Sequence, residues 1–154
     1  MPKLDIDALP AVSGSKYPAP LDQPCRARSR KRLGQAGGLT GFGVNLLTLP
    51  PGAWSSQRHW HSHEDELVFV VEGEVVLITD ASETRLAAGD CATFKAGVAN
   101  GHHLVNRSGR DALLLEVGDK NDAKDRTVYS DADMIAEPGE DFYRRRDGSA
   151  YSKD

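Results

Sequence analysis

The chain has 154 residues, 39% hydrophobic and 27% charged, which is the size and composition of one soluble globular domain. Its formal net charge of −4 argues against nucleic acid as a partner, and no apolar run is long enough to span a bilayer. The first residues lack the apolar stretch of a signal peptide. Two cysteines, Cys25 and Cys91, are too few for a disulfide framework, so we expect a cytoplasmic protein.

Residues 1–40 are rich in proline, glycine, serine and charge, and we interpret them as an extended N-terminal arm. The arm contains the basic segment RARSRKR, which would place Arg26, Arg28 and Arg30 on one face if it is extended. That face is either a patch for phosphate or nucleic acid, or a solvated strand face or clamp on an acidic neighbour. The negative net charge and the lack of a helix-turn-helix pattern favour the second interpretation.

Residues 41–118 contain short apolar runs, rich in β-branched residues and leucine, that alternate with turn signals. This pattern predicts an all-β sandwich or barrel, and no helical periodicity competes with it. The runs are FGVNLLTL (42–49), DELVFVV (65–71), VVLIT (75–79), CATF (91–94), HHLV (102–105) and ALLLEV (112–117).

Residues 119–154 are polar again and form a C-terminal tail with scattered tyrosines. We expect this tail to be irregular and to pack on the barrel, because its aromatic side chains need an apolar surface. The segment DADMIAE (131–137) is predicted to form one helical turn.

The segment that indicates a metal site is RHWHSHEDELVFVV, residues 58–71. A strand alternates faces, so His59 and His61 point the same way, with Cα atoms about 6.5–7 Å apart. Two imidazoles at that spacing can bind one metal ion. Glu66, at the start of the following apolar run, can add a carboxylate oxygen that partly neutralises a dication. A His-x-His pair followed by this glutamate is uncommon by chance.

A second segment, residues 89–106, begins with a Gly-Asp turn and ends with His102, His103 and an asparagine. A barrel brings distant strands together, so a histidine from this segment can complete the ligand shell. Because His102 and His103 have opposite parity, only one of them can face the interior.

These two segments resemble the two conserved motifs of the cupin superfamily. In the first motif, Gly52 precedes the His59–His61 pair, Glu66 follows after residues 62–65, and Gly73 closes the pattern after residues 67–72. The spacer before His59 is one residue longer than is usual in the family.

In the second motif, Gly89 leads, Lys95 replaces the usual proline, and Gly97 follows. The spacer after Gly97 is longer than in the family pattern. Counting forward reaches Asn100, whereas counting back from Asn106 reaches His102. We prefer His102 because imidazole is the better ligand, with His103 as the alternative.

The resemblance implies a single cupin barrel, a double-stranded β-helix or jelly roll, over residues 41–118. Within this superfamily the sequence resembles small bacterial single-barrel cupins, which are often likened to sugar-phosphate isomerases. It further implies one divalent ion, Zn, Mn, Fe or Ni, held by His59, His61, Glu66 and His102, and a homodimer that often includes strands of the N-terminal arm.

The function predicted from these features is a metal-dependent enzyme acting on a small polar substrate, such as a sugar, sugar phosphate or oxo acid. Isomerisation needs a base, for which Glu116 and the more exposed His63 are candidates. Glu116 is equally well explained as an outward-facing or salt-bridged strand residue. The alternatives are a non-catalytic cupin that binds or senses a small molecule, and an iron-dependent oxygenase.

Overall fold

The structure is a computed structural model that describes residues 2–152, and within that range the secondary structure consists almost entirely of short antiparallel strands. A 3-10 turn (Gln23–Cys25) and a one-turn helix α1 (Leu33–Ala36) are the exceptions in this part of the chain, which has no helix long and apolar enough to cross a membrane. The strands are β1 (Val12–Ser13), β2 (Ser29–Arg32), β3 (Phe42–Leu49), β4 (His59–His61), β5 (Glu66–Glu72), β6 (Glu74–Ile78), β7 (Glu83–Ala87), β8 (Cys91–Phe94), β9 (His103–Val105), β10 (Ala112–Asp119), β11 (Thr127–Tyr129), β12 (Ile135–Ala136) and β13 (Tyr143–Arg144).

These strands form three sheets within the described residues. The largest has the order β1-β2-β3-β10-β5-β8, a second has β7-β6-β9, and the third has β13-β12-β11-β4. One apolar core lies between the first two sheets, so together they enclose a barrel. Its buried side chains are Leu47, Leu49, Ala53, Val68, Val70, Val75, Leu86, Leu104, Ala112 and Leu114. The predicted all-β jelly-roll barrel is confirmed.

The pairing register decides which side chains point into the barrel. Leu47 on β3 lies opposite Leu114 on β10, and Leu114 lies opposite Val70 on β5; all three are fully buried. Side chains alternate along each strand, so the residues two positions further along point inward as well. By this alternation β10 turns Glu116 inward, and β5 turns Glu66 inward at its first residue.

Both flanking regions contribute strands to the sheets. In the N-terminal arm, β2 pairs with β3 and places Arg30 directly opposite the inward-facing Leu47. In the C-terminal tail, β11 pairs with β4, so the tail forms one wall beside the histidine pair. The predicted limits of the barrel domain at residues 40 and 118 stay predictions. Strands on both sides of each limit share a sheet, so the sheets show no division at either position.

The expected helical turn over residues 131–137 is wrong. Ile135–Ala136 is instead a strand that pairs with β11 on one side and β13 on the other. Met134 is fully buried in a small cluster with Tyr129 and Ala132. Pairing on two sides, together with this burial, outweighs the local helical preference.

Two residues of the motifs have clear structural roles. Gly73 has a φ of +77°, and a Cβ there would lie 2.7 Å from the carbonyl oxygen of Asp111, so only glycine fits the turn between β5 and β6. Asn106 is fully buried, and its Nδ2 donates to the carbonyl oxygens of Leu49 (2.7 Å) and Arg110 (2.8 Å). It therefore anchors the chain after β9.

Candidate metal centre

Two histidine side chains of β4 lie on the same face of their strand, inside the barrel. The rings of His59 and His61 are nearly perpendicular, with centroids 4.9 Å apart. Tyr129 and Thr127 of β11 lie opposite these histidines, and a β-bridge on the other edge joins His59 to His102. The backbone pairing therefore brings imidazoles from two distant segments to one place.

The Glu66 carboxylate lies at the centre of these imidazoles. Its Oε2 is 2.6 Å from Nε2 of His102 and 3.8 Å from Nε2 of His59, and its Oε1 is 3.3 Å from Nε2 of His61. Two ligand atoms that each lie about 2.1 Å from one metal ion are roughly 3.0–3.4 Å apart, which is close to these separations. Ligand atoms of His59, His61 and Glu66 all lie within 4.8 Å of one another, whereas His102 joins this group through Glu66.

Each of the three imidazoles is held through its other ring nitrogen. Nδ1 of His59 is 2.8 Å from the carbonyl oxygen of Gln57, and Nδ1 of His61 is 2.7 Å from Oδ2 of Asp125. Nδ1 of His102 makes a longer contact of 3.4 Å with the carbonyl oxygen of Asn100. Acceptors at Nδ1 place the proton there and leave Nε2 free to bind a cation, which is the usual arrangement of metal-binding histidines.

His102 and His103 have different surroundings, although both are nearly fully buried. The ring of His102 stacks on Phe94 at 3.6 Å and reaches Glu66. The ring of His103 packs edge-on against Trp54, and its Nδ1 lies 2.9 Å from the carbonyl oxygen of Ser56. The geometry therefore favours His102 over His103 as the fourth ligand.

The charges of the cluster are strongly coupled. Burial would raise the pKa of Glu66, but its contacts with His102, His59 and His61 outweigh burial and hold that pKa far below its usual range. Burial would lower the pKa of His61, but the carboxylates of Glu66 and Asp125 outweigh burial and raise it to about 9. Burial lowers the pKa of His102. The cluster thus stabilises a positive charge beside an ionised carboxylate.

The two predicted base candidates lie in different places. Glu116 faces the barrel interior and lines a cavity of about 180 Å³ together with His59 and Glu66. Its carboxylate accepts hydrogen bonds from Arg30, 2.7 Å from Nε and 3.0 Å from Nη2. His63 is exposed in the turn before β5, 2.8 Å from the Ser62 hydroxyl, and does not line this cavity.

Sequence reasoning missed the residues that support His61 from behind. Asp125 and Thr127 lie in the tail, and both contact Nδ1 of His61, at 2.7 Å and 3.2 Å. Glu64 also lies behind this ring: its Oε2 is 3.7 Å from the same nitrogen, and burial raises the pKa of the Glu64 carboxyl. In the run GDKNDAKDR no local signal separates Asp125 from its exposed neighbours, because its role comes from the β4–β11 pairing.

The residues present fit a divalent ion. Three imidazole nitrogens and one carboxylate oxygen suit zinc and the first-row transition metals, and the hydrogen bonds at Nδ1 pre-orient the rings. Without a cation, the three Nε2 atoms and the Glu66 carboxylate would have only one another as partners. Such a cluster of polar groups is typical of the ligands of a metal ion. Structural zinc sites are usually closed by protein ligands, whereas a cavity beside the ligands leaves room for a substrate.

The sequence and the fold are similar to those of known proteins. The Cupin domain family matches residues 45–118, and no curated protein matches the sequence significantly. The chain is similar to a cupin-superfamily sugar phosphate isomerase from Silicibacter pomeroyi DSS-3, with 45% identity over 98% of this chain and 97% of that chain and a TM-score of 0.91.

Two further solved structures are more distant. A candidate sugar phosphate isomerase from Acidithiobacillus ferrooxidans ATCC 23270 is 27% identical over 87% of this chain and 80% of that chain, with a TM-score of 0.71. A protein from Thermus thermophilus is also 27% identical, over 77% of this chain and 97% of that chain, with a TM-score of 0.57. From this similarity in sequence and fold, the chain belongs to the cupin superfamily.

Proposed function

We propose that this cupin binds one divalent ion, Zn, Mn, Fe or Ni, through His59, His61, Glu66 and His102, and acts as an isomerase-like enzyme on a small polar substrate. The observation that carries the proposal is the convergence of three imidazole Nε2 atoms on one carboxylate, each ring held from behind at Nδ1. The substrate we propose is a sugar, sugar phosphate or oxo acid, and the two relatives described above as sugar phosphate isomerases support the sugar phosphate among these.

The chain's own residues supply positioning and proton transfer. A bound divalent ion supplies a Lewis acid that polarises a carbonyl or hydroxyl oxygen of the substrate. Glu116 is the better placed of the two base candidates, because it lines the same cavity as His59 and Glu66. Arg30 holds the Glu116 carboxylate through two hydrogen bonds and so fixes its direction. His63, which is exposed, is the weaker candidate.

Metal content and turnover test the proposal. Purified protein, stripped with a chelator and reloaded with each metal in turn, should retain about one ion per chain by mass spectrometry. The His61→Ala variant should lose the ion, whereas His63→Ala, a histidine two residues away in the exposed turn, should keep it. Equal metal content in both variants would contradict the assigned ligands.

Turnover is then measured by NMR on a panel of aldose and ketose phosphates and oxo acids. Glu116→Gln should lower kcat by roughly 10²–10⁴-fold, the usual contribution of a general base, with little change in metal content. Metal binding without turnover on any substrate would favour a non-catalytic binding cupin. Oxygen consumption by the iron-loaded protein would favour an oxygenase.

We also propose a homodimer formed through the outer face of the six-stranded sheet. Phe69 and Val71 of β5 point outward and are 37% and 38% exposed, and Phe42 at the start of β3 is 44% exposed. Apolar side chains concentrated on one sheet face suit a self-complementary interface between two copies. A cytoplasmic location stays a prediction from composition.

Sedimentation tests the dimer. Phe69→Lys should raise the dimer dissociation constant about thirtyfold or more, because a cation replaces an aromatic side chain in the contact. Val98→Lys serves as the control, since Val98 is 54% exposed in the loop after β8 and lies outside the strands of this sheet. A monomeric wild-type protein, or equal behaviour of the two variants, would contradict the proposed interface.

A further inference from the structure

Arg28, just before β2, has its charged group buried inside the protein. The residue is only 7% exposed, and its guanidinium donates from Nε to the carbonyl oxygen of Gly14 (3.1 Å) and from Nη1 to the carbonyl oxygen of Ser55. Its Nη2 has no hydrogen-bond acceptor among residues 2–152, and no carboxylate in that range lies within salt-bridge distance of it. The ring of Tyr17, 5.8 Å away, offers a weak additional contact.

Arg30, two residues further along the chain, differs in its charge balance. Its guanidinium makes the double hydrogen bond to Glu116 and so has a full negative partner. Backbone carbonyls satisfy hydrogen bonds but do not neutralise a charge, and the carboxylate of Glu116, which is paired with Arg30, acts on Arg28 only at longer range. Burying an unpaired cation is unfavourable, and a protein tolerates it most readily where a ligand supplies the counter-charge.

The two guanidinium groups line the same cavity as the proposed metal ligands. This space of about 180 Å³ is bounded by Arg28, Arg30 and Glu116 and also by His59 and Glu66. Outside the ligand set, its lining carries two cations and one carboxylate, which leaves one unbalanced positive charge. An anionic group that enters the cavity therefore meets Arg28 as its free charged donor.

We propose that Arg28 binds the anionic group of the substrate, a carboxylate or a phosphate, while another part of the same molecule reaches the histidine cluster. The substrate is thus a small acid. This inference rests on the proposed function and narrows its substrate class. Arg30, held by Glu116, positions the site by donating through Nη2 to the Ser55 carbonyl (3.2 Å), which Arg28 also contacts. A guanidinium suits this task because Nη2, the nitrogen of Arg28 that has no acceptor, carries two N–H groups that can donate charge-assisted hydrogen bonds to either anion.

Calorimetric titration with inorganic phosphate and with malonate tests the assignment on the full-length, metal-loaded protein. Arg28→Gln should bind the anion about 10- to 100-fold more weakly, the loss expected for a hydrogen bond to a charged group. Arg26→Gln is the matched control. It removes the same charge two residues away, but Arg26 has a 61% exposed side chain paired with Asp22. A larger effect on phosphate identifies a phosphate group, and a larger effect on malonate identifies a carboxylate.

Unchanged affinity of Arg28→Gln for both anions would overturn the inference. If that variant fails to fold, the wild-type protein decides: glycerol 3-phosphate should raise its Tm and glycerol should not, and equal effects would overturn the inference.

Metal content is measured in the same samples. If the wild-type protein binds no metal, the proposed function fails. The anion titration is then carried out on the metal-free protein, and Arg28→Gln must still bind the anion more weakly than the wild-type protein does. If the metal binds and Arg28→Gln has no effect, the inference alone fails.

Discussion

The barrel interior has two halves that share strands β5 and β10 but differ in the residues they contain. In the apolar half, Leu47, Val70 and Leu114 fill the space between the sheets and are fully buried. In the polar half, the inward positions of β5 and β10 carry Glu66 and Glu116 instead. The alternation of strand side chains is the same in both halves, so the difference lies only in which residue types occupy the inward positions.

This comparison separates stability from chemistry. The apolar half removes hydrocarbon surface from water, so it should account for much of the folding free energy. The polar half gathers charged and hydrogen-bonding groups that contribute little net stability but bind ligands. Substitutions in the two halves should therefore affect different measurements.

The largest expected effect on stability is in the apolar half. Leu114→Ala should lower the free energy of unfolding of the metal-free protein by about 2–5 kcal/mol, because it leaves a cavity between closely packed side chains. Urea denaturation measures the change. The variant's metal content should stay at the wild-type level, and a loss below about 1 kcal/mol would show that this half is loosely packed.

In the polar half the same kind of truncation should act on binding. His59→Ala removes one imidazole and should weaken metal binding more than 100-fold. This loss is larger than the one caused by removing a residue that only hydrogen-bonds to a ligand. The free energy of unfolding of the metal-free variant should change by less than about 1 kcal/mol, because the packing lost with the ring is offset by the cost of burying its polar nitrogens. Competition with a chromophoric chelator measures the affinity, and an affinity close to that of the wild type would remove His59 from the ligand set.

A smaller effect is expected one layer behind the ligands. Asp125→Asn keeps the shape of the side chain but removes the charge next to Nδ1 of His61, and should weaken metal binding about 10–100-fold. Asp122→Asn is the control, because Asp122 is an exposed neighbour with the same charge. If both variants bind metal equally, the Asp125–His61 contact has no role in orienting the ring.

The smallest effect is expected on the outer face of the sheet. Val71→Thr, at a 38% exposed position, should change the free energy of unfolding by no more than about 0.5 kcal/mol. The adjacent Val70→Thr makes the same chemical change at a fully buried position and should cost about 1–3 kcal/mol, because it buries a hydroxyl group. Equal effects at the two positions would contradict the assignment of inner and outer faces.

Several elements were predictable because their signals are local. The runs at 42–49 and 91–94 are strands with the predicted bounds, and the run at 112–117 lies within β10. Strand β7 (Glu83–Ala87) was missed because its first three residues are polar and exposed. The tail strand β12 was mistaken for a helical turn, since a two-residue strand has no periodicity of its own and depends on its neighbours.

The sequence by itself determined the alternating strands and the shared face of His59 and His61, because these follow from a two-residue period along one strand. Only the tertiary structure decided that His102 rather than His103 reaches Glu66, that Asp125 supports His61, and that Arg28 lies buried beside the same cavity. Those contacts depend on which distant strands pair and in which register, and a single chain's local pattern does not contain that information.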